Sequence, residues 1–248
     1  MRSVYSTFLI TVICTAVLGC AAEPDYQSWI SRRTSFGFAD TRQAAESRLK
    51  THPQDGTAWA VLALVYGNGG DYLGMGSETS DLKESALSQA IRFSPKSPYT
   101  RAAFGLVRMA TAPDQAELQL QQCIDETPEF LECHNLYGDL LRKTGRPNQA
   151  ETVYLDALQQ WPNDGELLVS YALLLQETGR VEAASMVLRK LIEEQPEFPR
   201  GYWHLATLLY ETRADLVEAR QMATRALDLD PLIWNGEYFL RLLDEAEQ

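Results

Sequence analysis

Basic charge is scarce in this sequence. Twenty-two lysines and arginines stand against 34 aspartates and glutamates, a net charge of −12. A deficit of this size leaves no electrostatic footprint for a phosphate backbone and no general pull toward anionic lipid headgroups, so no nucleic-acid partner is expected. Histidine is scarcer still, with only His52, His134 and His204. No His-x-x-x-His and no Cys-x-x-Cys occurs, so neither common zinc-ligand spacing is present. No Ser–His–Asp set can be argued from these positions, and adjacent acids such as Glu193 and Glu194 read as solvated helix faces. The chain is therefore expected not to be an enzyme, to carry no cofactor or metal, and to take no small-molecule substrate. Long apolar runs are also missing, with one exception at the N-terminus.

That exception is residues 4–18, which follow Arg2 and are broken only by serine and threonine. The run is too short and ends too abruptly for a membrane-spanning helix, which needs roughly 20 apolar residues. It has the proportions of a secretory signal. It closes on Val17-Leu18-Gly19-Cys20, which resembles the lipobox of bacterial lipoproteins. The resemblance implies a signal peptide over 1–19, lipidation of Cys20 with fatty acids such as palmitate, and a short tether over 20–28. Ala rather than Asp at position 21 implies, in a Gram-negative cell, sorting to the outer membrane, facing the periplasm. Several acyl chains on one residue make such an anchor effectively permanent. The alternative is an ordinary signal peptide followed by a coincidental cysteine.

Cysteine is used sparingly, four in all. Cys14 leaves with the signal and Cys20 is the anchor, so Cys123 and Cys133 remain. They fall on helices expected to pack together, either as a disulfide of an oxidising compartment or as two buried free thiols. With His134 they make only an incomplete metal-ligand set.

What is abundant is repetition. Pro128, Pro162, Pro196 and Pro231 are separated by 34, 34 and 35 residues. Between them the apolar residues fall at helical period: Leu136, Tyr137 and Leu141, then Ala150, Tyr154, Ala157 and Leu158. A Thr-Gly-Arg turn separates the two stripes at 144–146 and again at 178–180, where glycine suits the left-handed residue that ends a helix. This pattern resembles the tetratricopeptide repeat (TPR), a helix–turn–helix unit of 34 residues. The resemblance implies an all-α, right-handed superhelical solenoid over 29–248. Its units are a partial repeat at 29–55, then 56–95, 96–130, 131–164, 165–198 and 199–232, with a cap at 233–248. Residues 42–53 read as a lone second helix, paired with residues 29–34. Residues 234–247 read as a capping helix with Glu237, Arg241 and Glu245 on its polar face. The 56–95 unit carries an insertion of about eight residues around 73–80, within a glycine-rich stretch at 67–82. That stretch lacks the Lys-Ser/Thr of a phosphate loop and the spacing of a calcium loop, and reads as a connection.

In the TPR family the ligand lies on the face lined by the first helix of each unit. By spacing, its outward positions are Asn135, Asp139 and Arg142, then Val169, Leu173 and Gln176, then Trp203, Thr207 and Tyr210. Earlier units supply Ala60, Leu64, Ala102, Leu106 and Met109. Asn135, Arg142 and Arg200 are too few, with Asp139 among them, to clamp a carboxylate. An amphipathic segment or strand of a protein partner suits the lining better. Trp203 and Tyr210 either meet that partner or pack under the last helix. A lipobox followed by about six such units is similar to the TPR lipoproteins that assist type IV and Flp (Tad) pilus assembly. It implies a membrane-anchored scaffold binding an envelope protein. Alternatives are an adaptor for peptidoglycan hydrolases and a chaperone of cytochrome maturation.

Overall fold

The computed structural model describes residues 35–69, 78–233 and 235–246. Cys20, the expected signal and tether, residues 29–34, the segment 70–77 and Trp234 lie outside these residues. Among the described residues twelve α-helices follow one another and no strand occurs. They are α1 (Ser35–Thr51), α2 (Gly56–Gly69), α3 (Glu78–Phe93), α4 (Pro98–Arg108), α5 (Pro113–Glu126), α6 (Leu131–Lys143), α7 (Pro147–Gln160), α8 (Gly165–Glu177), α9 (Val181–Glu194), α10 (Pro199–Glu211), α11 (Leu216–Leu229) and α12 (Gly236–Ala246). The even-numbered helices from α2 onward form one stack and the odd-numbered helices its partner stack, so the architecture is an all-helical solenoid.

The helix ends follow from local chemistry. Pro98, Pro113, Pro147 and Pro199 sit at the start of their helices, where a missing N–H costs nothing. Asp164 and Asp215 cap α8 and α11 by accepting from the N–H of Leu167 and Glu218. α6 ends with Gly145 at φ +76°, which lets Arg146 N–H reach the Leu141 carbonyl (2.9 Å) and Gly145 N–H reach that of Arg142 (3.2 Å). This is the Schellman closure. Gly179 repeats it after α8, at φ +77°. After α10 the same bonds form around Arg213, forced to φ +54° without a glycine's freedom.

The turn arginines also join units. Arg146 donates two bonds to Glu117 of the preceding unit (2.9 and 2.8 Å), and Tyr137 donates a third at 3.3 Å. Arg180 and Tyr171 treat Glu151 in the same way. These hydrogen bonds hold both carboxyls below the usual range. Buried apolar residues form three clusters along the stack, with Phe38 through Leu140 in the first. In the middle one, which includes Leu141 and Leu174, Tyr154 is buried beneath Gly138, where a Cβ would come within 2.3 Å of its ring.

Several boundaries differ from the expectation. α1 (Ser35–Thr51) already includes the residues before Arg42, with Phe38 and Thr41 buried on it. Gly67–Gly69 and Glu78–Ser80 belong to α2 and α3 rather than to a loop. The cap starts at Gly236 after Asn235, whose φ of +60° interrupts the helical path. Glu237, Arg241 and Glu245 are exposed on it. Cys123 and Cys133 are joined by a disulfide between α5 and α6, so neither offers a thiolate to a metal. His134 instead hydrogen-bonds the Pro128 carbonyl (2.9 Å) and packs on Trp161. Burial lowers its pKa against the pull of that carbonyl. Among the described residues no helix is long and apolar enough to cross a membrane.

Candidate functional site, the face of the first helices

The even-numbered helices bring together side chains 34 or 35 residues apart, because equivalent positions on successive first helices face each other. Arg142 on α6 pairs with Glu177 on α8 and, at 3.1 Å, with Asp139 one turn back. Gln176 on α8 donates to Glu211 on α10 at 2.5 Å. Lys143 on α6 approaches, at 3.5 Å, the sulfur of Met109, which follows the last residue of α4. Arg200 on α10 pairs with the buried Glu166 on α8 at 2.8 Å. The middle of this face is thus a chain of paired charges, anchored below by Tyr154, whose hydroxyl donates to Asp139 at 2.9 Å. Burial disfavours the Arg142 charge, but Asp139, Tyr154 and Glu177 outweigh it and raise its pKa further. Burial and Asp139 push that of Tyr154 upward.

The sequence-derived positions divide in three. Asp139, Arg142, Leu173, Gln176 and Thr207 keep part of their surface on this face. Asn135 and Val169 do not point outward: they are 2% and 0% exposed. Ala60, Leu64 and Ala102 are likewise buried. The reason is common to all five, since each lies where the neighbouring helices close over it. Trp203 and Tyr210 pack edge-to-face on Phe239 of α12, with centroids 5.1 and 5.3 Å apart. Of the two readings of this pair, packing under the last helix is the one observed, and α12 occupies the place a further first helix would take. Both keep partial exposure.

Two residues of this face escaped the spacing argument, Glu166 and Ser170, both buried on α8. His204, which the sequence places next to Trp203 near the edge of the groove, lies on α10 beside Arg200. His204 keeps some surface, yet burial within the stack pushes its pKa down to about 3, and Arg200 and Arg142 add to the effect. It is therefore a neutral imidazole at neutral pH. The signal for Glu166 was the register itself: Glu132, Glu166 and Arg200 recur at the 34-residue period, three positions before the predicted ones, and Ser170 lies one position after Val169. Among the described residues, no group of three or more His, Cys, Asp or Glu has metal-binding proximity. The face offers apolar surface, hydrogen-bonding groups and compensated charge, which suits recognition of a polypeptide segment.

Known proteins fit this geometry. The chain is similar in structure to TTC0263, a thermophilic TPR protein of Thermus thermophilus, with TM-score 0.60 and 17% identity over 67% of this chain and 91% of that one. It is similar to Pseudomonas aeruginosa PilF, with TM-score 0.51 and 19% identity over 85% and 90% of the two chains. It also resembles human IFIT1, solved as a dimer with PPP-AAAA, with TM-score 0.64 and 16% identity over 78% of this chain but 46% of that one, so it spans under half of IFIT1. At these identities the likeness is one of fold. Among curated proteins none matches the sequence. The tetratricopeptide repeat model matches residues 101–165 and 170–232, more than half of the chain. With the helix pairs, the turns and the 34-residue contacts all in place, the chain belongs to the tetratricopeptide repeat family.

Proposed function

We propose that this protein is a lipid-anchored scaffold of the cell envelope, whose first-helix face holds a segment of another envelope protein during assembly of a pilus or secretion machine. The observation that carries the binding half of this reading is the continuous face of α6, α8 and α10. Its charges are already compensated, and its open positions at Leu173, Gln176 and Thr207 accept an amphipathic segment without burying an unpaired ion. The anchoring half rests on the run ending at Cys20. A lipid tether confines the scaffold to a surface and raises the effective concentration of whatever it holds there. The pilus assignment rests on the combination of lipobox and repeats. The likeness to PilF, which covers most of both chains, is compatible with it in size and fold.

A photoreactive residue at Leu173 or Thr207, in the lipidated protein in cells, tests the reading. The expected result is capture of a pilus or secretin component from these positions and none from Leu155, which is exposed on α7. Capture of a cell-wall hydrolase or an apocytochrome would overturn the assembly role. Capture from Leu155 alone would overturn the face. Fatty-acid label that survives Cys20→Ala would overturn the anchor.

A further inference from the structure

The seams between successive units on the side away from the first-helix face are mostly apolar, and one is not. At the position of Arg101 the following units carry His134, Leu168 and Tyr202; at the position of Gln119 they carry Val153, Val187 and Met222. Where the end of α3 meets α4 and α5, the structure leaves a cavity of about 340 Å³. Arg101, Thr100, Lys96 and Gln119 form its polar side, and Ile91 and Phe104 line it with apolar surface. Arg101 is 6% exposed. Its Nη2 donates to both oxygens of Glu126, at 2.9 and 2.8 Å. Its Nε and Nη1, and the buried Thr100 hydroxyl, have no partner. A guanidinium carries five N–H groups in a planar fork, and buried donors left unmade are costly. Leu168, at the same position two units later, shows that the fold does not need an arginine there.

We propose that this cavity binds the C-terminal carboxylate of a peptide or protein whose last side chain is apolar. The fork of Arg101 matches a planar carboxylate, and Ile91 and Phe104 supply the surface for the side chain beside it. Glu126 holds the site in the absence of ligand. Its side chain is 57% exposed, so it swings into water as the incoming carboxylate takes its place, and the charge of Arg101 stays compensated throughout. On a chain of net charge −12, the arginine and Lys96 make this a local exception that favours an anionic end. The site lies on α3, α4 and α5 and does not rest on the reading of the first-helix face.

The test is an NMR titration of the folded protein, reading the arginine Nε–H signals, with acetyl-Ala-Ala-Leu as free acid and as amide. The expected result is a saturable shift of the Arg101 signal with the acid and none with the amide. Arg101→Leu should weaken binding of the acid at least about tenfold, the scale of one charge-assisted contact, and Glu126→Gln should tighten it. Gln176→Ala, on the other face, should leave it unchanged. The proposal falls if acid and amide act alike, if neither moves Arg101, or if Gln176→Ala abolishes binding. A shift of Arg101 with inorganic phosphate but not with the acid would also overturn it. Circular dichroism checks that Arg101→Leu folds; if it does not, the acid–amide pair and Glu126→Gln decide.

Discussion

Residues 131–232 and residues 35–130 are made of the same helix pair and are held together differently. In the first region two successive units repeat a small set of contacts with the unit before them. A tyrosine and a turn arginine share a glutamate of the preceding unit, and a first-helix side chain reaches the residue one past its counterpart, 35 positions on. The second region is organised around α2, buried on nearly every side between α1, α3 and α4, and its buried cluster runs on into α6. Near-neighbour coupling of the first kind tolerates a change in one unit, because the loss is shared with two interfaces only. A central helix concentrates the cost. The turn arrangement also stops where its residues run out: the third unit has Leu205 and Ala214 where its predecessors have tyrosine and arginine.

The largest way to break the contrast is in the two cores. Tyr154→Ala should cost about 3–5 kcal/mol, as for other buried aromatic truncations, in urea unfolding followed by circular dichroism. Its damage should centre on 131–177, read by amide hydrogen exchange, whereas Leu64→Ala should speed exchange throughout α1 to α4. Equal spreading in the two variants would erase the distinction. Next comes the staple between the regions. Replacing Cys123 and Cys133 together by alanine opens a loop with a sequence separation of 10 and should lower stability by about 2–3 kcal/mol. An unchanged urea midpoint would show that packing alone joins α5 to α6.

A smaller effect tests the repeating glutamates. Arg146 holds the Glu117 carboxyl below its usual pKa, so its contribution is present above the unfolded value of 4.5 and is lost as pH falls through the lowered one. Glu117→Gln should therefore cost about 0.5–1 kcal/mol at neutral pH, reduced by salt, and almost nothing at the acid end of a pH series. A constant difference at every pH would mean that the pair contributes through packing. At a similar scale but opposite in sign, Arg213→Gly should raise stability by about 0.5–1 kcal/mol. It relieves a left-handed φ that the equivalent turns give to glycine, less the contact of Arg213 with the Tyr210 ring. A lowered melting temperature would show that the ring contact dominates.

How much was legible varied along the chain for physical reasons. The units from 131 onward were readable because proline, glycine and helical stripes recur in step, and each marks a local conformational need. The 67–82 stretch misled because Gly67–Gly69 suggest a turn by composition, although they sit in α2 among close neighbours. The stretch of α1 before Arg42 was missed because its polar sequence hides the buried Phe38 and Thr41. Of the face positions, Asn135 and Val169 are closed over. Glu166 and Ser170 were overlooked, since helical spacing names a side of a helix and not its cover.

By itself the sequence determined the helix-pair unit, its length and its stacking, because a unit that packs only on its neighbours writes its needs at short range. Tertiary structure decided what is open and what is closed. Exposure depends on how near the next helix comes, some 34 residues away, and so does the partnering of each charge. That approach covers Asn135, seats Trp203 and Tyr210 under Phe239, and leaves the buried Arg101 with donors to spare.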